Sequence, residues 1–364
     1  MNLWQFPLMA CALLLSTSPS TQAQTQNSFK PGQGWPDSNG VHINAHGGGI
    51  LLYDNIYYWF GEHKIEGDAG NRAQVGVHCY SSSDLYNWKD EGIVLHVSDD
   101  ANSEIVKDCI IERPKVIYNG TTGIFVMWFH LEFKGKGYNT ARSGVAISDR
   151  ATGPYQYLGS TRSNPRIWAE NAPEPDNKNQ PPPNTYVRDH ANGQMSRDMA
   201  LFVDDDGTAY HIYSSEDNRT LQIAQLTDDY TKHNGRYVRS LVNGSNEAPA
   251  IFKHNRKYYL ITSGCTMWSP NAARSFVADN IMGEWKSLGN PCRGTDQQNK
   301  TTFESQGTYI LPVSGKPGAC IFMADRWQPK NPIDGSYIWL PIQWEGDKPV
   351  LKWLDEWSLD FFER

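Results

Sequence analysis

One pattern, met five times along the chain, restricts the fold more than any other feature. An apolar, β-prone run meets a polar or glycine-containing turn and returns as a second apolar, aromatic-rich run. The five copies are GGGILLYDNIYYWFGE from Gly47, RPKVIYNGTTGIFVMWFH from Arg113, DMALFVDDDGTAYHIYSS from Asp198, APAIFKHNRKYYLITSG from Ala248 and QGTYILPVSGKPGACIFMA from Gln306. Each reads as a β-hairpin. Four are followed by a second two-strand segment with a Ser/Asp/Thr-rich turn and an aromatic residue, the first being VGVHCYSSSDLYNWKDEGIVL. The last hairpin leads into YIWLPIQWEGDKPVLKWLDEW, which has the same outline. Two strands plus two, repeated at roughly 50–85 residues, predict an all-β fold, a five-bladed β-propeller with four antiparallel strands per blade. A β-sandwich made of similar hairpins is the competing architecture. No long segment sustains a 3.6-residue apolar period, so helices have little place.

The remaining segments fit around that unit. Met1 to Leu15 is an apolar stretch too short to span a bilayer as a mature helix, followed by Ser/Thr/Gln-rich sequence with small residues at Thr21 and Ala23. It reads as an export signal, residues 1–23, with a single propeller domain over 24–364, no membrane insertion after signal removal, and an exported, monomeric product. The linker from Ser160 to Met195 contains NAPEPDNKNQPPPN and is expected to be a long loop without regular structure, because proline lacks an N–H and fixes φ. Removing the leader leaves five cysteines, an odd number that argues against a full disulfide framework. Cys265 and Cys292 are the pair an oxidising compartment would offer.

Charge and motifs exclude several functions. A net charge of −7 without a basic block lacks the electrostatic footprint of a nucleic-acid binder. There is no C-x-x-C, no H-E-x-x-H and no Walker-type G-x-x-x-x-G-K. His-Gly-Gly-Gly at 46–49 matches an esterase oxyanion motif, but the G-x-S-x-G elbow is missing, and glycines in an innermost blade strand let backbones crowd around a narrow axis. DDDG at Asp204–Gly207 reads as a hairpin turn before a calcium loop. His63, His78, His130 and His190 lack metal-ligand spacing, so no metal site is predicted.

In a propeller the innermost strands start around one mouth of the channel, so residues distant in sequence converge there. The starts are Asn44-Ala45-His46, Ile111-Glu112-Arg113, Ser196-Arg197-Asp198, Asn246-Glu247-Ala248 and Glu304-Ser305-Gln306; four bring a carboxylate and one an imidazole. Carboxylates crowded into one pocket raise at least one pKa by repulsion and desolvation, which keeps a proton available near neutral pH. Cleavage of a glycosidic bond requires such an acid and a second group on the opposite face of the sugar. The high aromatic content, with 13 Trp and 18 Tyr, suits stacking on sugars; Trp268 and Trp327 follow inner-blade strands, where they offer platforms beside the pocket, although such residues more often pack between blades.

At these strand starts the chain resembles glycoside hydrolase family 43, five-bladed propeller hydrolases of arabinose-, xylose- and galactose-containing polysaccharides, over nearly all of residues 40 to 360. NEAPAIFKHNRKYYLITSG is similar to the segment carrying that family's acid, which implies Glu247 as general acid and Asp198 as the residue that orients and tunes it. Most of the family has a general-base Asp where this chain has NAHGGG. That departure, with AHGGG…YYWFGEHK, ERPKVIYN and ESQGTY, resembles the exo-β-1,3-galactanase subgroup. The resemblance implies Gln306 in the place of the base, Glu112 as a further pocket glutamate, and Glu62, Tyr138, Asn218, Thr262 and Gly264 lining a galactose site. Glu112 and Glu304 remain rivals for the base, with His46 a third candidate beside the sugar. The implied activity is inverting release of galactose from β-1,3-galactan, such as the backbone of arabinogalactan. An α-L-arabinofuranosidase or β-xylosidase of the same family and a non-catalytic glycan-binding propeller are the alternatives. No cofactor is required by this reading, and a structural calcium in the channel is seen in some relatives.

Overall fold

Short turns in the left-handed region set the hairpins. Asp54 and Asn55 (φ 50° and 60°) join Tyr53 to its partner Ile56, and Asn255 and Arg256 (φ 48° and 64°) join His254 to Lys257. Positive φ at both central residues matches the right-handed twist of the flanking strands, and Asn and Asp tolerate it best.

The computed structural model describes Met1 and residues 25–173 and 184–363. Blade one is β1 (His46–Tyr53), β2 (Ile56–Glu62), β3 (Gly76–Ser82) and β4 (Lys89–His96). Blade two is β5 (Ile110–Asn119), β6 (Ile124–Glu132), β7 (Arg142–Ser148) and β8 (Gln156–Thr161). Blade three is β9 (Met199–Val203), β10 (Ala209–Ser215), β11 (Thr220–Leu226) and β12 (His233–Ser240). Blade four is β13 (Asn246–His254), β14 (Lys257–Gly264), β15 (Arg274–Ala278) and β16 (Lys286–Gly289). Blade five pairs β17 (Gln306–Pro312), β18 (Cys320–Arg326) and β19 (Ser336–Pro341), then continues as the ribbon β20 (Gln343–Glu345) and β21 (Lys348–Val350).

Every pairing between these strands is antiparallel and sequential, and β1, β5, β9, β13 and β17 lie side by side around the axis, with β17 meeting β1. The fold is a five-bladed β-propeller. Its apolar mass is divided into five cores, one between each pair of neighbouring blades. The largest ring cluster fills the junction of blades five and one, where Trp59 meets Trp339 at 4.9 Å and Trp88 at 5.3 Å between ring centres. There Phe29 and Trp357 exchange two backbone hydrogen bonds of 2.7 and 3.0 Å, tying the early chain to its last turn.

Two expectations need correction. The linker holds a six-residue helix, α1 (Thr185–His190), directly after the prolines, because Asn184 caps it by accepting from the N–H of Val187. The five cysteines among the described residues are all free, with Cys265 exposed and Cys292 buried, so these two do not pair. Residues 2–23 of the expected export signal lie outside the described residues, as do 174–183 within the linker. Asp204–Gly207 is the β9–β10 turn, closed by the Asp204 N–H on Thr208, and Lys253 and Tyr258 bind Asp204.

Candidate active site

The inner strands aim their first side chains by means of bulges. The pairing register shifts between His46 and Gly49, Glu112 and Lys115, Glu247 and Ala250, and Gly307 and Tyr309. In the first three the residue inside the bulge has positive φ: Gly47 at 61°, Arg113 at 56° and Ala248 at 50°. A bulge opposes two residues to one and turns the strand locally, which redirects the preceding side chain toward the mouth. The N–H freed at each of these three donates to a carboxylate of an adjacent blade. Gly47 donates to Asp325, Arg113 to Glu62 at 2.9 Å and Ala248 to Asp198 at 3.0 Å.

The mouth encloses a cavity of about 380 Å³ bordered by Glu62, Glu112, Asp198, Glu247 and Gln306. Arg113 sits at its hub. One guanidinium nitrogen donates to Asp198 Oδ2 at 2.9 Å and to Gln306 Oε1 at 2.6 Å, and the other reaches the carbonyl of Gly307 at 3.2 Å. Trp327 Nε1 also donates to Gln306 Oε1, at 3.0 Å, while Gln306 Nε2 donates to Ser263 Oγ at 2.9 Å. Both donors to Oε1 are groups that only donate, so the amide orientation is forced, and both oxygen lone pairs are occupied. One Nε2 hydrogen remains.

Glu247 and Glu112 are set to opposite protonation states. Burial, reinforced by the charge of Asp198, pushes the Glu247 carboxyl up to about 7 against Arg113 and the hydrogen bond from Asn218, whose Nδ2 lies 2.5 Å from Oε1. Burial also opposes the charge on Glu112, but His130 at 3.1 Å, the charge of Lys64 and the Tyr138 hydroxyl at 2.6 Å outweigh it, holding the carboxyl down at about 2. His130 is buried between Glu112 and Glu132, and despite burial these partners raise it to about 9. One glutamic acid thus keeps its proton near neutrality while its neighbour stays ionised.

Of the expected site residues, Glu247, Gln306, Glu112, Asp198, Glu62, Tyr138 and Asn218 all border this one cavity. Three do not. His46 is 0% exposed because its ring packs on Tyr337 instead of facing the cavity, and burial chiefly holds it neutral. Thr262 is buried and donates to Asn246, since its place on β14 faces away from the sugar site. Gly264 instead anchors the next loop, its N–H donating to Asn271 at 2.7 Å. Glu304 points outward, its side chain 65% exposed, so it leaves the contest for the base.

Sequence reasoning missed the roles of Arg113, at the hub of the pocket, and of Lys115, Lys64 and Asp325, all of them buried. The signal was present in ERPK, where two cations interrupt an apolar strand; charges there are tolerated only when paired. Trp327, expected between blades, instead fixes Gln306.

Among the described residues, Glu112, His130 and Asp198 are the group whose ligand atoms come within 4.8 Å of one another. They do not fit calcium, which takes six to eight oxygen ligands. One of the three is an imidazole held by two carboxylates, and Asp198 already carries Arg113 as its cation.

Comparison with known proteins places this geometry. The family model for glycosyl hydrolases family 43 matches residues 49–348. The solved family 43 β-1,3-galactosidase BT3683, in complex with galactodeoxynojirimycin, is similar at 51% identity and a TM-score of 0.86, over 91% of this chain and 100% of that one. An exo-β-1,3-galactanase from Phanerochaete chrysosporium with β-1,3-galactotriose is 32% identical, with a TM-score of 0.76 over 92% of this chain and 68% of that one. The exo-β-1,3-galactanase 1,3Gal43A from Clostridium thermocellum is 34% identical, with a TM-score of 0.76 over 91% of this chain and 66% of that one. No curated protein matches the chain. With five blades, a protonated glutamic acid beside an ionised one, and a family match over most of its length, the chain belongs to glycosyl hydrolases family 43 and is a glycoside hydrolase.

Proposed function

We propose that this enzyme is an exported exo-β-1,3-galactanase that removes terminal galactose from β-1,3-galactan, such as the arabinogalactan backbone, with inversion at the anomeric carbon. The observation that carries the reading is Glu247, kept protonated near neutral pH by burial and Asp198 in a cavity that also holds Gln306. The named activities of the similar structures support galactan over arabinofuranosides or xylosides, and family membership supports hydrolysis over mere binding.

Glu247 gives its proton to the glycosidic oxygen as the C1–O bond breaks, and water forms the new bond to C1 from the opposite face. Gln306 cannot receive the water's proton, because Arg113 and Trp327 fill its oxygen. Its remaining Nε2 hydrogen holds the water oxygen, and the ionised Glu112 takes the proton that the water sheds. Positioning supplies what a weakly basic carboxylate does not.

Purified protein incubated with β-1,3-galactobiose and followed by proton NMR tests this. Galactose appears first as the α anomer, and Glu247→Gln lowers kcat by about 10²–10⁴-fold, the usual worth of a general acid. Galactose appearing first as the β anomer contradicts inversion, and an unimpaired Glu247→Gln variant contradicts the assignment of the acid.

A further inference from the structure

A second hollow opens beside the sugar pocket. It measures about 250 Å³ and shares Met267, Trp268, Gln306 and Trp327 with the first cavity, running outward past Glu304 and Arg326. The shared wall is the loop after β14. That strand pairs Ser263 with Glu247, so the loop rises directly beside the general acid, and Cys265 is the next wall of the pocket.

The loop is built to hold its shape. Asn271 Oδ1 accepts from Gly264 N–H at 2.7 Å, and its Nδ2 donates to the Gly264 carbonyl at 2.9 Å and to Thr266 Oγ1 at 2.7 Å. Thr266 Oγ1 in turn donates to the Ser269 carbonyl at 2.5 Å. What the loop presents is apolar. Met267 has φ 56° and is 89% exposed, and Trp268 is half-buried. Holding a large apolar side chain out in water at a strained backbone angle costs free energy that the fold itself does not recover. Trp268 meets Trp327 at 72° and 5.7 Å, a perpendicular contact that covers at most one of its faces.

We infer that Met267 and Trp268 form the platform that binds the leaving sugar, a neutral galactopyranosyl residue, with the second hollow receiving the chain beyond it. The inference rests on the galactanase reading. The general acid stands between the departing and retained sugars, so whatever lies just beyond Glu247 on the outer side meets the aglycone. The C–H face of a galactopyranose suits an open indole face, and Glu304 and Arg326 supply polar partners at the hollow's far side. The sugar pocket is thereby devoted to the terminal galactose, and recognition of a galactan chain over a simple galactoside belongs to this loop.

The test compares a substrate with a leaving sugar, β-1,3-galactobiose, against one with none, β-galactosyl fluoride, in the full chain and in Trp268→Ala, Trp268→Phe and Met267→Ala. The ratio of kcat/KM for galactobiose to that for the fluoride falls about tenfold in Trp268→Ala, the size of one aromatic contact, and Trp268→Phe recovers part of it. Equal losses on both substrates mean the residue is merely structural and overturn the platform, as does an unchanged ratio in both alanine variants. An unmodified chain that hydrolyses the fluoride but not galactobiose overturns the galactanase reading itself, and the platform with it.

Discussion

At the scale of single residues, the site is an exercise in keeping one proton on and its neighbours off. Asp198 has two tasks: it accepts the Ala248 N–H and the Arg113 guanidinium, and its charge adds to burial in keeping Glu247 protonated. Because the acid must be protonated to act, activity falls as pH rises through about 7. Asp198→Asn removes a like charge and moves that alkaline limb to lower pH, which a pH profile of kcat/KM on galactobiose reads directly; a limb that stays in place separates Glu247 from Asp198. Glu247 and Asp198 were legible in the sequence because they stand at equivalent strand starts, where convergence follows from the repeat. The partner of Gln306 was not legible. Trp327 lies 21 residues away, just past the end of β18, and a tryptophan with a hydrogen bond to give looks the same in sequence as one that fills a core.

At the scale of elements, the bulges tie the strand starts to the carboxylates of neighbouring blades. Left-handed backbone at Arg113 and Ala248 is invisible from residue type, since neither favours it, whereas the glycine at 47 is its visible counterpart. His46 stands before the bulged Gly47 just as Glu112 and Glu247 stand before Arg113 and Ala248, yet it is wholly buried against Tyr337 while the two glutamates reach the cavity, so a bulge alone does not bring a strand-start side chain to the mouth. Thr262 and Gly264, chosen by position, miss the cavity because Thr262 is tied to Asn246 and Gly264 to Asn271, whereas Tyr138 and Asn218, in loops outside the repeated hairpins, reach it. A side chain on Gly47 would collide with Glu62 Oε1, the acceptor of the Arg113 N–H. Gly47→Ala therefore combines a left-handed Cβ with overpacking, costing about 2–4 kcal/mol in stability and most of the activity, measured by urea unfolding and galactose release.

At the scale of the whole molecule, five inter-blade cores carry buried polar pairs whose protonation links stability to pH. His63 and His233 are drawn down to about 4, by burial and for His63 also by His78, while burial holds His211 and His46 further below the ordinary value. A histidine whose folded pKa is depressed contributes its stability above about 6.5, and that contribution is lost as pH falls toward 4. Glu247 and Asp325, both raised to about 7, work the other way across the same window, and His130, raised to about 9, does so only down to about 6.5, so the four depressed histidines still outweigh them. The melting temperature accordingly falls between pH 7 and pH 5, on the order of 5 °C, and His233→Gln flattens the slope. A melting temperature that rises toward acid would show that the two carboxyls prevail. The ring architecture itself was written in the five hairpins; what departed from the expected pattern are two six-residue helices, α1, hidden behind a proline run, and α2 (Asp296–Thr301), opened by the Thr295–Gln298 capping box ahead of β17. The junction of blades five and one has a property the other four lack. A pull on both ends of the chain loads the two Phe29–Trp357 bonds and the indole stack around them before any other junction, so this seam acts as a mechanical fuse that gives way while the sugar pocket's remaining walls still stand.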